Sequence, residues 1–239
     1  MRVRSDGGEG TVSNARDFYL RNAGIVTAEP DAQVAAAAMR TPGDRYFCIF
    51  DRLADTSRLA ALELGFGSAV RATALAGAFA RYETVDVAAD RLIEGSGAGF
   101  AWRVGDLDAD WPYADGEWDV VIAMMVIEHL YDPFHSFREL ARVLRPGGYA
   151  FVNLPNIASF KCRLQLLAGA MPVTSTKDWF QRRQWDGGHL HGFTVDLAGR
   201  LAALNGLTLD RLYPVGRHLW LKRLRPSLLC HEISYVLRK

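Results

Sequence analysis

This chain of 239 residues has few cysteines and almost no net charge. It has three cysteines, and 28 Lys and Arg residues nearly balance 27 Asp and Glu residues, which leaves a net charge of +1. A nearly neutral chain has no overall field that attracts nucleic acid, so we expect no nucleic-acid partner. Cys48, Cys162 and Cys230 lie far apart and form no Cys-x-x-Cys pair, which favours free thiols in a reducing compartment.

Long apolar runs are absent as well. No stretch approaches the ~18 consecutive apolar residues of a membrane span, and the first residues are charged and glycine-rich. We therefore expect no membrane span and a cytoplasmic location. Apolar residues nevertheless make up 49% of the chain, enough for the core of one full-sized domain. Nothing in the sequence indicates an oligomeric state.

Short apolar runs alternate with helical patterns from residue 59 onward, which is typical of a parallel sheet with crossover helices. Two further runs near the C-terminus have no helix between them and must pair antiparallel. We therefore predict an α/β fold with a doubly wound, seven-stranded, mostly parallel sheet and a C-terminal antiparallel hairpin. The predicted strands are 59–65, 81–87, 100–104, 118–125, 149–154, 207–215 and 229–237, and the helices between them are 70–80, 88–94, 133–144 and 195–204.

The chain divides into two predicted parts. Residues 1–58 are interpreted as a disordered lead followed by a helical cap, with helices at 12–23, 32–39 and 45–53. The last of these carries an aromatic stripe at helical spacing, which is typical of a core. Residues 59–239 form the predicted ligand-binding domain, and the irregular segment 155–190 is an insertion after the fifth strand that we interpret as a lid, with a helix at 157–168.

A glycine turn follows the first predicted strand, in the sequence Glu63-Leu64-Gly65-Phe66-Gly67. Such a turn lets a ligand approach the backbone at the carboxyl edge of the sheet. Asp86 ends the second strand, where a carboxylate can bind the two hydroxyls of a ribose. Dinucleotide loops usually have a third glycine where this chain has Val70, and Glu63 would repel a pyrophosphate. Glu63 suits the positive amino and sulfonium groups of S-adenosylmethionine (SAM).

These motifs, taken in order, resemble the class I SAM-dependent methyltransferases over residues 59–239. Glu63, Gly65 and Gly67 match the family's acid-x-Gly-x-Gly turn, although Phe66 replaces a residue that is commonly small. Asp86 matches the ribose-binding acid. The remaining matches are Gly105-Asp106-Leu107, Trp118-Asp119-Val120-Val121, Glu128-His129-Leu130-Tyr131-Asp132-Pro133 and Leu144-Arg145-Pro146-Gly147-Gly148.

The resemblance implies SAM as cofactor, with S-adenosylhomocysteine (SAH) as its product. Asp106 would lie near the adenine amino group and Leu107 beside the adenine ring, while Ala123 and Met124 would supply backbone near the methionine part. The N-terminal helices, including Phe18 and Tyr19, would close over the cofactor. The full set of expected cofactor-binding residues is Glu63, Gly65, Phe66, Gly67, Asp86, Val87, Asp106, Leu107, Ala123 and Met124.

Three histidines are the candidate catalytic residues: His129, His189 and His191. A hydroxyl acceptor must lose its proton, and histidine is the natural base near neutral pH. For each of these histidines the sequence leaves two roles open: contact with the acceptor, as a base or otherwise, or a structural role that braces the lid. Asp186 together with His189 and His191 also has the character of a metal-ligand set, but no fourth ligand stands at suitable spacing. We therefore expect no metal site.

The expected function is methyl transfer from SAM to a small-molecule or glycosyl acceptor, most readily at oxygen. Pro155-Asn156 and the later stretch 163–174 are also similar to a subset that includes MetW-type proteins and bacterial sugar methyltransferases. The alternative is therefore a SAM- or SAH-binding regulatory partner with little catalysis of its own, and a nicotinamide-dependent oxidoreductase is a third reading. Two groups in the insertion stay open to either a structural or an acceptor-binding role: the aromatic Trp179, Phe180 and Trp185, and the basic Lys161, Arg163, Arg182 and Arg183.

Overall fold

The computed structural model describes residues 31–65, 67–88, 99–175, 179–181, 183 and 185–239. The predictions for the helix at 12–23, for Phe18, Tyr19, Phe66 and Arg182, and for most of the helix at 88–94 lie outside these residues. Among the described helices, none has the length and apolarity needed to cross a bilayer.

A seven-stranded sheet organises the fold, in the order β3-β2-β1-β4-β5-β7-β6. Strands β1 to β5 are mutually parallel, and β7 runs antiparallel to both of its neighbours, β5 and β6. The predicted mostly parallel sheet with an antiparallel C-terminal hairpin is confirmed. The strands are β1 Ala60–Leu64, β2 Arg81–Asp86, β3 Ala101–Val104, β4 Trp118–Met124, β5 Leu144–Pro155, β6 Thr208–Pro214 and β7 Glu232–Arg238.

Five of the eight described α-helices begin at a capping side chain. The Asp132 carboxylate accepts a hydrogen bond from the Phe134 backbone N–H, and the Thr194 hydroxyl accepts one from Leu197. The α-helices are α1 Ala32–Met39, α2 Phe47–Arg52, α3 Ala69–Ala76, α4 Pro133–Val143, α5 Phe160–Leu167, α6 Val195–Leu204, α7 Leu219–Lys222 and α8 Pro226–Leu229, with 3-10 turns at Ile127–His129 and Trp185–Gly188.

Helices cover both faces of the sheet, so the central strands are buried on both sides. On one face α4 and α6 pack on the sheet through Phe137 and Leu201. On the other face α1, α2 and α3 form a second core that includes Ile49. Val121 and Ile122 of β4 belong to these two different cores, because successive side chains of a strand point to opposite faces.

Several predicted boundaries differ from the observed ones. The predicted strand at 149–154 begins earlier, because Leu144 already pairs with Trp118 of β4. The predicted helix at 157–168 begins at Phe160, because the Ser159 hydroxyl caps it by accepting from the Cys162 backbone N–H. The connection of the C-terminal hairpin, predicted as a loop, contains the short helices α7 and α8.

One buried acid, Glu63 of β1, adds hydrogen bonds to the apolar packing between the N-terminal helices and the sheet. Its carboxylate accepts a hydrogen bond from the Tyr46 hydroxyl, next to α2, at 2.8 Å and another from the Tyr82 hydroxyl of β2. Burial raises the pKa of Glu63 to about 7, although the two tyrosine hydrogen bonds and the Arg71 charge act to lower it. The acid therefore sits near the midpoint of its titration at neutral pH.

Two phenylalanines of α4 provide a test of the core. Phe137 is 1% exposed and Phe134 is 56% exposed. We expect Phe137→Ala to lower the free energy of unfolding by about 3–5 kcal/mol, because it leaves a cavity in the core. The control Phe134→Ala should change it by less than about 0.5 kcal/mol. Urea denaturation measures both, and equal losses from the two substitutions would contradict the packing described here.

The raised pKa of Glu63 predicts a pH-dependent stability. A folded pKa near 7, above the ordinary value of 4.5, means that the folded state keeps a proton that the unfolded state releases. This contribution is complete below about pH 4.5 and is lost as pH rises through 7, by about 3 kcal/mol in total. Relative to Glu63→Gln, the wild type should therefore lose stability between pH 4.5 and pH 8.

A second glutamate supplies the matched control for that measurement. Burial acts to raise the pKa of Glu117, but hydrogen bonds from the Ala114 backbone N–H and from Arg81 hold it below its usual value. Its stabilising contribution is present above pH 4.5 and is lost as pH falls. Relative to Glu117→Gln, the wild type should lose stability on the acid side. Parallel stability curves for the wild type and Glu63→Gln would rule out the buried acid as the cause.

Candidate active site

The glycine turn after β1 is shaped by its contact with the loop that follows β4. Gly65 has φ +62°, and a Cβ at this position would lie 2.5 Å from Cγ2 of Val126. Glycine is therefore required both by the backbone conformation and by the close approach. A Cβ on Gly67 would meet no heavy atom within 4 Å among the described residues. The turn thus closes against Val126 on one side and leaves space at Gly67.

Two carboxylates follow the adjacent strands β2 and β3. The Asp86 carboxylate accepts a hydrogen bond from the Ala88 backbone N–H at 2.8 Å, and the Asp106 carboxylate accepts one from Asp108 at 3.0 Å. Both are partly exposed. The Gly105 backbone N–H donates to the Asp86 carbonyl at 3.2 Å, so the two strand ends are held side by side. Both acids lie at the carboxyl edge of the sheet, as the sequence predicts.

The remaining expected cofactor residues differ in how much side chain they expose. Leu107 is buried in the core with its carbonyl accepting from the Trp111 indole at 3.1 Å. Ala123 is fully buried and Met124 nearly so, while Val87 is partly buried. The chain then turns sharply at Met125, which has φ +60°. A ligand at the end of β4 would therefore meet mainly backbone, and the roles of these residues stay predictions.

Two of the three predicted histidines come together. His129 ends the 3-10 turn after β4, and His189 follows the 3-10 turn Trp185–Gly188 of the insertion. Their rings are 4.8 Å apart at 72°, an edge-to-face contact. The Glu128 carbonyl accepts hydrogen bonds from the backbone N–H groups of Leu190, at 2.8 Å, and His191, at 3.2 Å. These backbone hydrogen bonds dock the insertion on the loop that follows β4.

His191 is directed elsewhere. Its Nε2 atom lies 3.1 Å from the carbonyl of Tyr131, to which it donates. The structure therefore separates it from the pair formed by His129 and His189. A bracing role, which the sequence left open for each histidine, fits this hydrogen bond.

A polar network that the sequence analysis missed holds His189 in place. The Thr174 hydroxyl donates to the Asp186 carboxylate at 2.7 Å and lies 2.7 Å from Nδ1 of His189. Ser175 also donates to Asp186 through its hydroxyl at 2.7 Å. Thr174 precedes Asp186 by 12 residues across an irregular segment, and no periodic pattern marks that pairing.

Burial sets the charge state of the pair. Burial lowers the pKa of His189 to about 4, and repulsion from His129 contributes. Burial also lowers the pKa of His129, although a hydrogen bond to the Gly188 carbonyl opposes the shift. Burial acts to raise the pKa of Asp186, but the hydrogen bonds from Thr174 and Ser175 hold it below its usual value. Both histidines are therefore neutral at pH 7, beside an ionised aspartate.

The aromatic residues of the insertion contact one another. Trp179 packs edge to face on both Phe180, at 5.4 Å, and Trp185, at 5.5 Å. Phe180 and Trp185 are nevertheless exposed. The cluster packs the insertion and also presents an apolar surface, so both roles considered from the sequence stay open.

Comparison with known proteins gives consistent matches. Residues 62–152 match the family model described as a methyltransferase domain. A probable SAM-dependent methyltransferase of Mycolicibacterium smegmatis is 47% identical over 58 residues, which are 24% of this chain and 22% of that protein. A ubiquinone biosynthesis O-methyltransferase of Methylococcus capsulatus is 32% identical over 116 residues, 46% of this chain and 48% of that protein. The chain thus spans less than half the length of either relative.

Solved structures share the fold. A SAM-dependent methyltransferase from Mesorhizobium loti superposes with a TM-score of 0.60 at 14% identity, over 86% of this chain and 100% of that one. A Burkholderia thailandensis 1,6-didemethyltoxoflavin-N1-methyltransferase, solved with its substrate and SAH bound, gives 0.57 at 12% identity, over 100% and 93%. The family match runs from β1 to β5 and contains the glycine turn and both strand-end acids. Over residues 62–152 the chain is therefore similar to methyltransferase domains, and its sheet shares the fold of solved SAM-dependent methyltransferases.

Proposed function

We propose that this protein transfers a methyl group from SAM to a hydroxyl oxygen of a small-molecule or glycosyl acceptor. The observation that carries the proposal is the edge formed by the ends of β1, β2 and β3, where the glycine turn, Asp86 and Asp106 stand next to one another. Strand order reverses between β1 and β4, and ligands of doubly wound sheets bind at such a reversal.

Each part of the cofactor has a matching group at this edge. The Asp86 carboxylate would bind the ribose hydroxyls, and Asp106 would face the adenine amino group, with Val87 and Leu107 beside the ring. The backbone of Gly65 and Gly67 would line the methionine part, for which the open space at Gly67 gives room. Glu63 would act from beneath the turn, where its carboxylate is held by Tyr46 and Tyr82.

The acceptor would enter from the side of His129 and His189. In the transfer, the acceptor oxygen forms a bond to the methyl carbon while the carbon–sulfur bond breaks and its electron pair stays on sulfur, which gives neutral SAH. The acceptor proton must leave as well. Two neutral histidines beside the ligand edge are suited to orient the hydroxyl. Burial lowers the pKa of His189 to about 4 and makes it a weak base, so His129 is the candidate to take up the proton.

A small acceptor is supported by the charge balance. The net charge of +1 gives the chain no overall field that would attract a nucleic acid. Two of the curated relatives with the longest matches are named ubiquinone biosynthesis O-methyltransferases, which supports oxygen as the atom methylated. The three cysteines are free and buried, in keeping with the cytoplasmic location expected from their number and spacing.

Calorimetric titration with SAM and SAH tests the cofactor assignment. We expect Asp86→Ala to weaken both ligands by roughly 10- to 150-fold, the cost of about 1.5–3 kcal/mol for a lost charged hydrogen-bond partner. Asp86→Asn, which can keep the hydrogen bond to Ala88, should show a comparable loss. The control Asp55→Ala, on the loop before β1, should bind like the wild type. Unchanged affinity in both Asp86 variants would refute the ribose assignment, and binding of NADH without SAM would refute the whole proposal.

Release of SAH in the presence of sugars, phenols and carboxylic acids tests catalysis. With the acceptor that supports turnover, Thr174→Val should lower kcat by about 10-fold or more. It releases His189, on which the His129 ring packs, from its fixed orientation, and a positioned base contributes about 10²–10⁴-fold. Thr174→Ser keeps the hydroxyl and should retain most of the activity. Equal activity of Thr174→Val and the wild type would show that the orientation of His189 has no part in catalysis.

The same panel separates the enzyme from its alternative. SAM binding without SAH release from any acceptor, together with co-purification of a protein partner, would favour a regulatory SAM-binding protein over a methyltransferase.

A further inference from the structure

The carboxyl group of Glu128 is buried and has no hydrogen bond to another described residue. The residue is 0% exposed, and neither carboxyl oxygen has a partner at hydrogen-bond geometry among the described residues. Burial raises the pKa of Glu128 to about 8, although its own backbone N–H and the Arg45 charge act to lower it. Burying such a group is costly unless something binds it. The Glu63 carboxyl is equally buried but is satisfied by two tyrosines, so Glu128 calls for a different explanation.

Two histidines face this carboxyl. Nε2 of His189 lies 4.0 Å from Oε1 of Glu128. With His129 included, one ligand atom from each of the three side chains lies within 4.8 Å of the others. The three residues come from the loop after β4 and from the insertion, and the backbone hydrogen bonds of the Glu128 carbonyl hold these two segments together.

The hydrogen bonds of His189 define which of its nitrogens carries the lone pair. The Thr174 hydroxyl has one proton, and it donates that proton to the acceptor-only carboxylate of Asp186 at 2.7 Å. The hydroxyl must therefore accept from Nδ1–H of His189, 2.7 Å away. The lone pair of His189 is then on Nε2, the atom that faces Glu128.

The tautomer of His129 is fixed by a backbone carbonyl. Its Nδ1 atom lies 3.1 Å from the Gly188 carbonyl, which can only accept, so Nδ1 carries the proton and Nε2 the lone pair. Metal-binding histidines characteristically donate their other ring N–H to a carbonyl or carboxylate, which fixes the ring and its tautomer. Both histidines show this feature, His129 directly and His189 through Thr174.

We propose that Glu128, His129 and His189 bind a divalent transition-metal ion, best matched by Zn²⁺, through the Glu128 carboxylate and the two Nε2 atoms. Two histidines and one carboxylate, with a fourth position left for water or substrate, are a ligand set of catalytic zinc sites. Bonds of 2.0–2.2 Å in a tetrahedral site place the ligand atoms roughly 3.3–3.6 Å apart. The Glu128 and His189 atoms would therefore approach by about 0.5 Å from their 4.0 Å separation, and the three ligand atoms, now within 4.8 Å of one another, would approach by at most about 1.4 Å.

These ligands differ from the metal-ligand set that was considered from the sequence, which was Asp186, His189 and His191. Asp186 is engaged by Thr174 and Ser175, and His191 donates to Tyr131. Only His189 is shared between the two sets. Glu128 and His129 are adjacent in the chain, and their meeting with His189 depends on how the insertion folds back.

The role of the ion rests on the proposed function. An acceptor hydroxyl in the fourth position would have its pKa lowered by the metal and release its proton to water. The oxygen would then attack the methyl carbon of SAM, and the sulfur would keep the electron pair of the broken bond. His129 and His189 would in this case hold the metal rather than take up the proton themselves.

Titration of the metal-free protein with Co²⁺, followed by its visible absorption and by Zn²⁺ competition, tests the site without SAM or acceptor. The wild type should bind one equivalent with the spectrum of a four-coordinate site. Glu128→Gln and His189→Ala should weaken binding by more than the roughly 10- to 100-fold that loss of an orienting partner costs. The control His191→Ala should bind the metal like the wild type.

The contrary outcomes are distinct from those of the proposed function. Failure of the wild type to bind one equivalent of Co²⁺ or Zn²⁺, or wild-type affinity in a folded Glu128→Gln, would overturn the metal site. Circular dichroism establishes that each variant is folded, and the wild-type titration decides by itself where a variant is not. Calorimetric titration with SAM in the presence of a chelator measures the affinity of the cofactor site independently of the metal. SAM binding without metal binding would refute the metal site alone, and metal binding without SAM binding would refute the proposed function alone.

Discussion

The close approach of Gly65 to Val126 is the constraint on which the rest of the site depends. It brings the turn after β1 against the loop after β4, at the point where the strand order of the sheet reverses. On one side of this contact the ends of β2 and β3 present Asp86 and Asp106. On the other side the loop after β4 continues into Glu128 and His129. The absence of a side chain at Gly65 therefore sets the distance between the cofactor edge and the histidine pair. That distance matters because methyl transfer requires the two reactants to be held close together in a fixed geometry.

Two buried carboxyl groups near this contact differ in their hydrogen-bond partners. Glu63 receives hydrogen bonds from Tyr46 and Tyr82, so its burial joins the N-terminal cap to β1 and β2. Glu128 has no such partner among the described residues and faces a histidine whose tautomer is fixed by Thr174. Polar groups buried in a protein are normally satisfied. The burial of Glu63 is therefore accounted for by its two tyrosine partners, and we attribute the burial of Glu128 to the proposed metal ion.

The sequence was sufficient for the sheet and for the order of the motifs, because both depend on local patterns. The apolar run of β4, the caps at Asp132 and Thr194, and the acids after β2 and β3 can each be recognised within a few residues. Neither the pairing of Leu144 with Trp118 nor the meeting of Glu128 with His189 could be predicted in that way. The first depends on the register between β4 and β5, which shifts between Trp118 and Val120. The second depends on how an irregular insertion folds back over the loop after β4, through backbone hydrogen bonds to Glu128 that any residue type could make. Thr174 was missed for the same reason, since its partners are set by the insertion's path rather than by spacing.

A crystal structure of the protein with SAH tests the proposed cofactor site most directly. We expect the ribose hydroxyls to lie within hydrogen-bond distance of the Asp86 carboxylate and the homocysteine part to follow the Gly65–Gly67 turn. The sulfur should then face the side on which Glu128, His129 and His189 meet. A complex in which SAH binds away from the ends of β1, β2 and β3, or in which its sulfur faces away from the histidine pair, would show that the cofactor site is wrongly assigned.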